Sequence, residues 1–360
     1  MRTRAYWGGA FAVLIFLLVQ LGALALVPTF YSEGYQTVED PSDPANSLLY
    51  VGAILVMTVL MLAAFKFDLD FVVRYVVVGT GGMLAWYVFS AVLPSPFGLV
   101  AAGAVAVALL AYPEWYVIDT AGVVMGAGAA GLFGISFGIL PALVLLTVLA
   151  VYDAISVYGT EHMLDLAEGV MDLRIPVVLV IPLTLSYSLL DDDFVGVGSA
   201  DDGDGDGDDA GESEAATADG GEPTEGEEGV ESERADTDTD TDHAGSEDAG
   251  EGDREVVVDR DVFFVGLGDA VMPTVLVASA AFFSPAASLG VPGLAALNLP
   301  ALLAMVGTFV GLVILLRMVL KGAAHAGLPL LNGGTIAGYL VGSTLAGVPL
   351  LTALGLAPYL

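Results

Sequence analysis

Segment after segment of this chain is apolar for about the length needed to cross a hydrocarbon core. A spanning helix takes about 20 residues at roughly 1.5 Å rise each. The segments that qualify run from Ala5 to Val27, Leu48 to Phe65, Phe71 to Leu93, Phe97 to Tyr112, Val117 to Ile135 and Gly138 to Tyr158. Three more run from Val262 to Phe283, Leu294 to Val319 and Gly327 to about Leu350. The composition is 56% hydrophobic with mean hydropathy +0.78, well above an ordinary soluble domain. The expected fold is therefore an all-α membrane protein with about nine transmembrane helices. The first segment follows Arg2 and Arg4, but its apolar run exceeds the roughly 7–15 residues of a signal peptide, so it is read as a helix.

A formal charge of -33 looks incompatible with that reading until the acids are located. Most lie in one run between Asp191 and Asp261, rich in Asp, Glu, Gly, Ser and Thr, which has too little apolar surface to fold. The expected organisation is 1–158 for helices one to six, 159–190 for an amphipathic helix and a short hydrophobic segment, 191–260 for a disordered acidic linker, and 261–360 for helices seven to nine. Ten basic residues, eight Arg and two Lys, then all fall on one side of the membrane. Basic residues near span ends stay in the cytoplasm, so the N-terminus and the acidic loop between helices six and seven are expected there, and the C-terminus outside. Acidity of this degree, with Arg in excess of Lys, suggests a salt-loving microbe.

No cysteine is present, which excludes disulfides and thiolate chemistry, and His162, His243 and His325 form no H-E-x-x-H pair. Attention passes to acids inside spans, where an ionisable group costs about 2.5–3.5 kcal/mol on insertion scales. Asp68, Asp70, Glu114, Asp119 and Asp191 to Asp193 lie at expected span ends, where solvation is the default reading. Asp153 and Asp269 lie deeper, at similar depths from the cytoplasmic ends of the sixth and seventh spans. Two carboxyls at one level in low dielectric cannot both ionise, so the pair holds one proton and offers an acid and a base together. The plainer alternative is two separate aspartates hydrogen-bonding within a helical bundle. Gly266 and Gly268 leave room beside Asp269, and Pro273 removes a helical hydrogen bond one turn beyond it.

Tyr152-Asp153 and Gly266-Leu267-Gly268-Asp269 resemble the YD and GxGD motifs of presenilin and signal peptide peptidase, the intramembrane aspartyl proteases. The chain looks most like an archaeal presenilin homologue, and the likeness covers nearly its whole length. The resemblance implies that Asp153 and Asp269 are a catalytic pair, and that Tyr152, Gly266, Leu267, Gly268, Leu328 and Pro329 line the substrate. The family's P-A-L motif is imperfect here. Ala326-Gly327-Leu328-Pro329 keeps Leu and the second Pro, whereas Pro329-Leu330-Leu331 keeps Pro and the final Leu; the first register is preferred. The N-terminus-in arrangement matches the presenilin branch and implies single-span substrates whose N-termini lie outside. Expected partners are transmembrane protein substrates and the lipid bilayer, with no nucleic acid; the residues name no accessory subunit. No metal and no organic cofactor is implied.

Within 159–190, Glu161, Asp165, Glu168 and Asp172 recur at helical spacing opposite Met163, Leu164, Ala167, Val170 and Met171, as in an interfacial helix. Arg174 to Pro182 is β-branched and suits a short strand that either adds to an unwound substrate or merely connects. Rival functions are a proton-coupled transporter, which would predict an internal repeat that is not found, and a prepilin-type peptidase, which would not explain Tyr152-Asp153. A non-catalytic scaffold would tolerate Asp-to-Asn changes at both positions.

Overall fold

The computed structural model describes residues 2–67, 69–159, 178–183, 187–189, 262–319 and 326–359. Six long helices and one short strand occupy the first part: α1 (Arg2–Ser32), α2 (Ala45–Lys66), α3 (Asp70–Val92), α4 (Phe97–Ala111), α5 (Trp115–Ser136), α6 (Ile139–Gly159) and β1 (Val178–Pro182). The second comprises β2 (Val262–Gly266), α7 (Leu267–Phe283), α8 (Leu299–Val319), α9 (Gly327–Leu345), the short α10 (Leu350–Ala353) and a closing 3-10 turn. Among the described residues six helices are long and apolar enough to cross a membrane, and α4 and α7 are shorter apolar helices. The molecule is therefore a mostly helical, multi-span integral membrane protein.

The distribution of apolar surface follows from that solvent. On α2, Leu48, Leu49, Val56, Val59 and Leu60 are all exposed, which in water would be a liability and in lipid is the ground state. The buried helices are α1, α5 and α7, which pack on one another, while α9 lies along α8 over its whole length. Without a hydrophobic drive between helices in lipid, close approach must come from small residues. A side-chain carbon on Gly307 would strike the Gly334 carbonyl, one on Gly334 the Gly307 carbonyl, and one on Gly338 the Leu303 carbonyl. Thr308 and Thr335 hydroxyls share a hydrogen bond of 2.7 Å in the same seam.

Several expected boundaries shift. Val262–Gly266 is a strand, so the seventh helix begins at Leu267 and not at Val262. Its Val-Phe-Phe-Val run is β-branched and aromatic, and an antiparallel partner exists in β1, with Val178 opposite Gly266 and Pro182 opposite Val262. The strand reading of Arg174 to Pro182 holds for Val178–Pro182. Leu294 to Leu297 is not helical either: Asn298 caps α8 by accepting from the Ala301 amide at 3.0 Å, while its side-chain nitrogen donates to the Ala280 carbonyl at the end of α7. The last long helix stops at Leu345, where Gly347 takes φ +74° and the chain turns into α10. The amphipathic helix read between Glu161 and Asp172 and the acidic run lie outside the described residues, as do all three histidines.

Candidate active site

Asp153 and Asp269 arrive from α6 and α7, and both reach the first turn of α9. On α6, Asp153 is 8% exposed, six residues before the last helical residue, Gly159. Its Oδ2 accepts from the Leu328 amide at 3.0 Å, and the Gly327 amide also donates to it. Those are the first and second residues of α9, and Pro329 is the third. A helix start leaves its first amides without intrahelical partners. Here two of them hold a carboxylate, the position a helix N-terminus favours for negative charge, and the third residue, proline, has no amide to satisfy.

Asp269 is the third residue of α7, nearer the helix start than the expected depth within a span beginning at Val262. Gly266 caps that helix, and its amide bonds the Asp269 carboxylate, the reach-back half of a capping box. The spacing of G-x-G-D thus has a local meaning: cap, first residue, second residue, acid. A side-chain carbon on Gly327 would lie 3.5 Å from Asp269 Oδ2, so the same glycine whose amide faces Asp153 touches Asp269 through its α-carbon side. Asp153 is the electrostatic neighbour of Asp269. One turn of α9 therefore gathers both carboxyls.

The other singled-out residues divide by position. Gly266, Leu267 and Gly268 belong to the cap and first turn of α7; a side-chain carbon on Gly268 would meet nothing, so open space adjoins Asp269 there. Leu267 packs across to α5, where a side-chain carbon on Gly126 would lie 3.2 Å from its Cδ1. Leu328 and Pro329 form the first turn of α9, which makes Ala326-Gly327-Leu328-Pro329 the stretch that meets both acids. Tyr152 is 40% exposed on α6, in contrast to the buried Asp153 beside it in sequence.

Two acids depart from the expectation of solvated span ends. Glu114 and Asp119 are each 4% exposed, not solvated span ends. Glu114 caps α5, accepting from the Trp115 amide, while its Oε1 accepts from the Ser188 hydroxyl at 2.6 Å and its Oε2 from the Leu189 amide at 3.1 Å. Asp119 Oδ1 accepts from the Val180 amide in β1 at 2.8 Å. Asp68 and Asp191 to Asp193 lie outside the described residues. Sequence distance concealed both acids' partners, which sit more than sixty residues downstream.

Comparison with known proteins shows the family and the fold. The family described as "Signal-peptide peptidase, presenilin aspartyl protease" matches residues 13–348. One presenilin-family intramembrane aspartate protease, solved in space group C222, is 30% identical, covering 94% of this chain and 99% of its own, with TM-score 0.57. A second structure so described, in space group P2, is 31% identical over 92% of this chain and 96% of its own, with TM-score 0.54. No curated protein sequence matches the chain. The chain belongs to the signal-peptide peptidase and presenilin aspartyl protease family, and its class is that of membrane-embedded hydrolases.

Proposed function

We propose that the chain is an intramembrane endopeptidase that cuts single-span membrane proteins, with Asp153 and Asp269 as its acid–base pair. The observation that carries this reading is the convergence of both carboxyls on Gly327 and Leu328 at the start of α9. The ionised member takes a proton from water as the oxygen attacks the scissile carbonyl, and the protonated member donates to the carbonyl oxygen. A gem-diol results; in its collapse the C–N bond breaks, the carboxyl that accepted water's proton protonates the leaving amine, and the other carboxylate takes a proton from one gem-diol hydroxyl, leaving a carboxylic acid and restoring the pair. No metal or organic cofactor enters any step.

The amides of Gly327 and Leu328 fix Asp153, and the Gly266 amide fixes Asp269, so the pair is oriented before substrate arrives. Open space at Gly268 gives an extended backbone room to approach Asp269. Leu267, Leu328, Pro329 and Tyr152 are the remaining candidates for substrate contact. An extended substrate adding to β1 would compete with Asp119 for the Val180 amide. The basic residues support nine spans with the N-terminus and the 191–260 linker in the cytoplasm and the C-terminus outside, in the cell membrane. Substrates are then proteins whose N-termini lie outside.

The test is cleavage of a single-span reporter by purified protein in lipid at high salt. Asp153→Asn and Asp269→Asn, made separately, should each lower turnover by at least about 100-fold, the lower bound for losing a general acid or base. Retained cleavage in either variant would remove the pair from the chemistry.

A further inference from the structure

The start of α5 holds a second set of buried polar contacts, none of which touches the aspartate pair. Glu114 binds Ser188 and Leu189, Trp115 Nε1 donates to the Tyr187 carbonyl at 3.0 Å, and Asp119 accepts the Val180 amide at 2.8 Å. Asp119 is 4% exposed and its Oδ2 has no hydrogen-bond partner among the described residues. A carboxyl buried in a spanning helix at that cost, with one oxygen committed to a main-chain amide, invites a functional reading.

The route from that amide to the active site is short. Val180 stands opposite Phe264 in the β1–β2 pair, and β2 ends at Gly266, the cap whose amide bonds Asp269. Because the Val180 amide points to Asp119, it is turned away from β2, so the contact anchors β1 without removing a rung of the ladder. Seven residues further along α5, on the same face, Gly126 receives Leu267, the first residue of α7. One face of α5 thus holds the strand pair at one point and the first turn of α7 at another.

We infer that Asp119 is a positioning residue for Asp269, acting through the Val180 amide, the β1–β2 pair and the Gly266 cap. This rests on the protease reading of Asp153 and Asp269. The role requires an acceptor oxygen at Asp119 and a donor amide at Val180. It does not require charge. Asn at position 119 keeps the acceptor; Ala removes it. Proline at position 180 removes the donor while leaving β2's hydrogen bonds in place.

The experiment compares Asp119→Ala, Asp119→Asn, Val180→Pro and the double variant Asp119→Ala/Val180→Pro in the reporter assay, with thermal melting in detergent as the control for folding. Wild-type cleavage and its loss in Asp269→Asn come first, because failure there counts against the protease reading itself. Hydrogen exchange over 262–269, read by mass spectrometry, tests the positioning with no cleavage needed. The expected result is a kcat loss of at least 10-fold in Asp119→Ala, rescue to within about 3-fold by Asn, and a double variant no worse than the poorer single one. Exchange over 262–269 should quicken in Asp119→Ala and stay at the wild-type rate in Asp119→Asn. Full activity in Asp119→Ala, an Asn variant as poor as Ala, additive losses, or unchanged exchange would each overturn the inference. Should Asp119→Ala fail to fold, Val180→Pro carries the same comparison from the donor side.

Discussion

Asp269 owes its position to an amide three residues earlier, and that single contact gives the glycines around it different duties. Gly266 supplies the amide and the extended cap geometry, φ -59° and ψ 134°. Gly268 supplies open space, since a side-chain carbon there has no atom of another part of the chain within 4 Å. Gly268→Leu is therefore expected to leave the melting temperature within a few degrees while lowering cleavage at least 10-fold, a split that melting and reporter assays on one preparation would reveal. A fall in melting temperature matching the activity loss would show that the space is structural. The aspartate pair itself was legible in the residues, because an acid deep in an apolar span has few uses. Glu114 and Asp119 were not, because their burial depends on a segment that only folding brings to α5.

At the scale of elements, the sequence reading and the structure part company where an apolar run has two ways to satisfy its backbone. Val262 to Gly266 is as apolar as the helix it precedes, and hydropathy alone joins the two. The strand wins because β1 supplies partners for its amides and carbonyls, and the break at Gly266 then becomes the cap that sets Asp269. Asn298 shows similar economy at the opposite end of α7, serving the last carbonyls of one helix and the first amides of the next. Asn298→Ala should cost about 1–2 kcal/mol of stability, the worth of a cap and a buried hydrogen bond together, with turnover per folded molecule unchanged. Unfolding in a graded denaturing detergent would measure it. The α8–α9 seam is stricter. Gly338→Val drives a branched side chain into the Leu303 carbonyl, so it should reach or exceed the upper end of the roughly 1–3 kcal/mol typical of overpacking, and cleavage should fall with folding.

For the molecule as a whole, the apolar segments alone announce a multi-span helical protein, and the two motifs announce the family. Crossing order left no mark in the residues for the packing that matters most: α7 sits among α1, α5, α6 and α9, so the acids of distant segments meet at a helix start that sequence shows only as an imperfect motif. A pair sharing a proton should give a bell-shaped dependence of turnover on pH, with two apparent values that belong to the pair and not to either residue. Each Asp-to-Asn variant should abolish the bell along with activity, and a single-limbed profile in the wild type would contradict the shared proton.

The β1–β2 pair has one more consequence, for how such a chain changes over evolutionary time. Pro182 and Val262 are opposite one another and the Glu114 contacts hold Ser188 and Leu189 on α5, so the stretch between Leu189 and Val262 is fastened at both ends to the bundle, a single doorway. Whatever lies between is an insertion with fixed ends, and the entropy of closing it grows only with the logarithm of its length. Replacing 195–257 with a short Gly/Ser linker should leave reporter cleavage within about 3-fold, because the doorway, and not the traffic beyond it, holds Asp269. Changes in the length or composition of that stretch therefore leave the frame around Asp269 in place, and the two parts of the chain can vary separately.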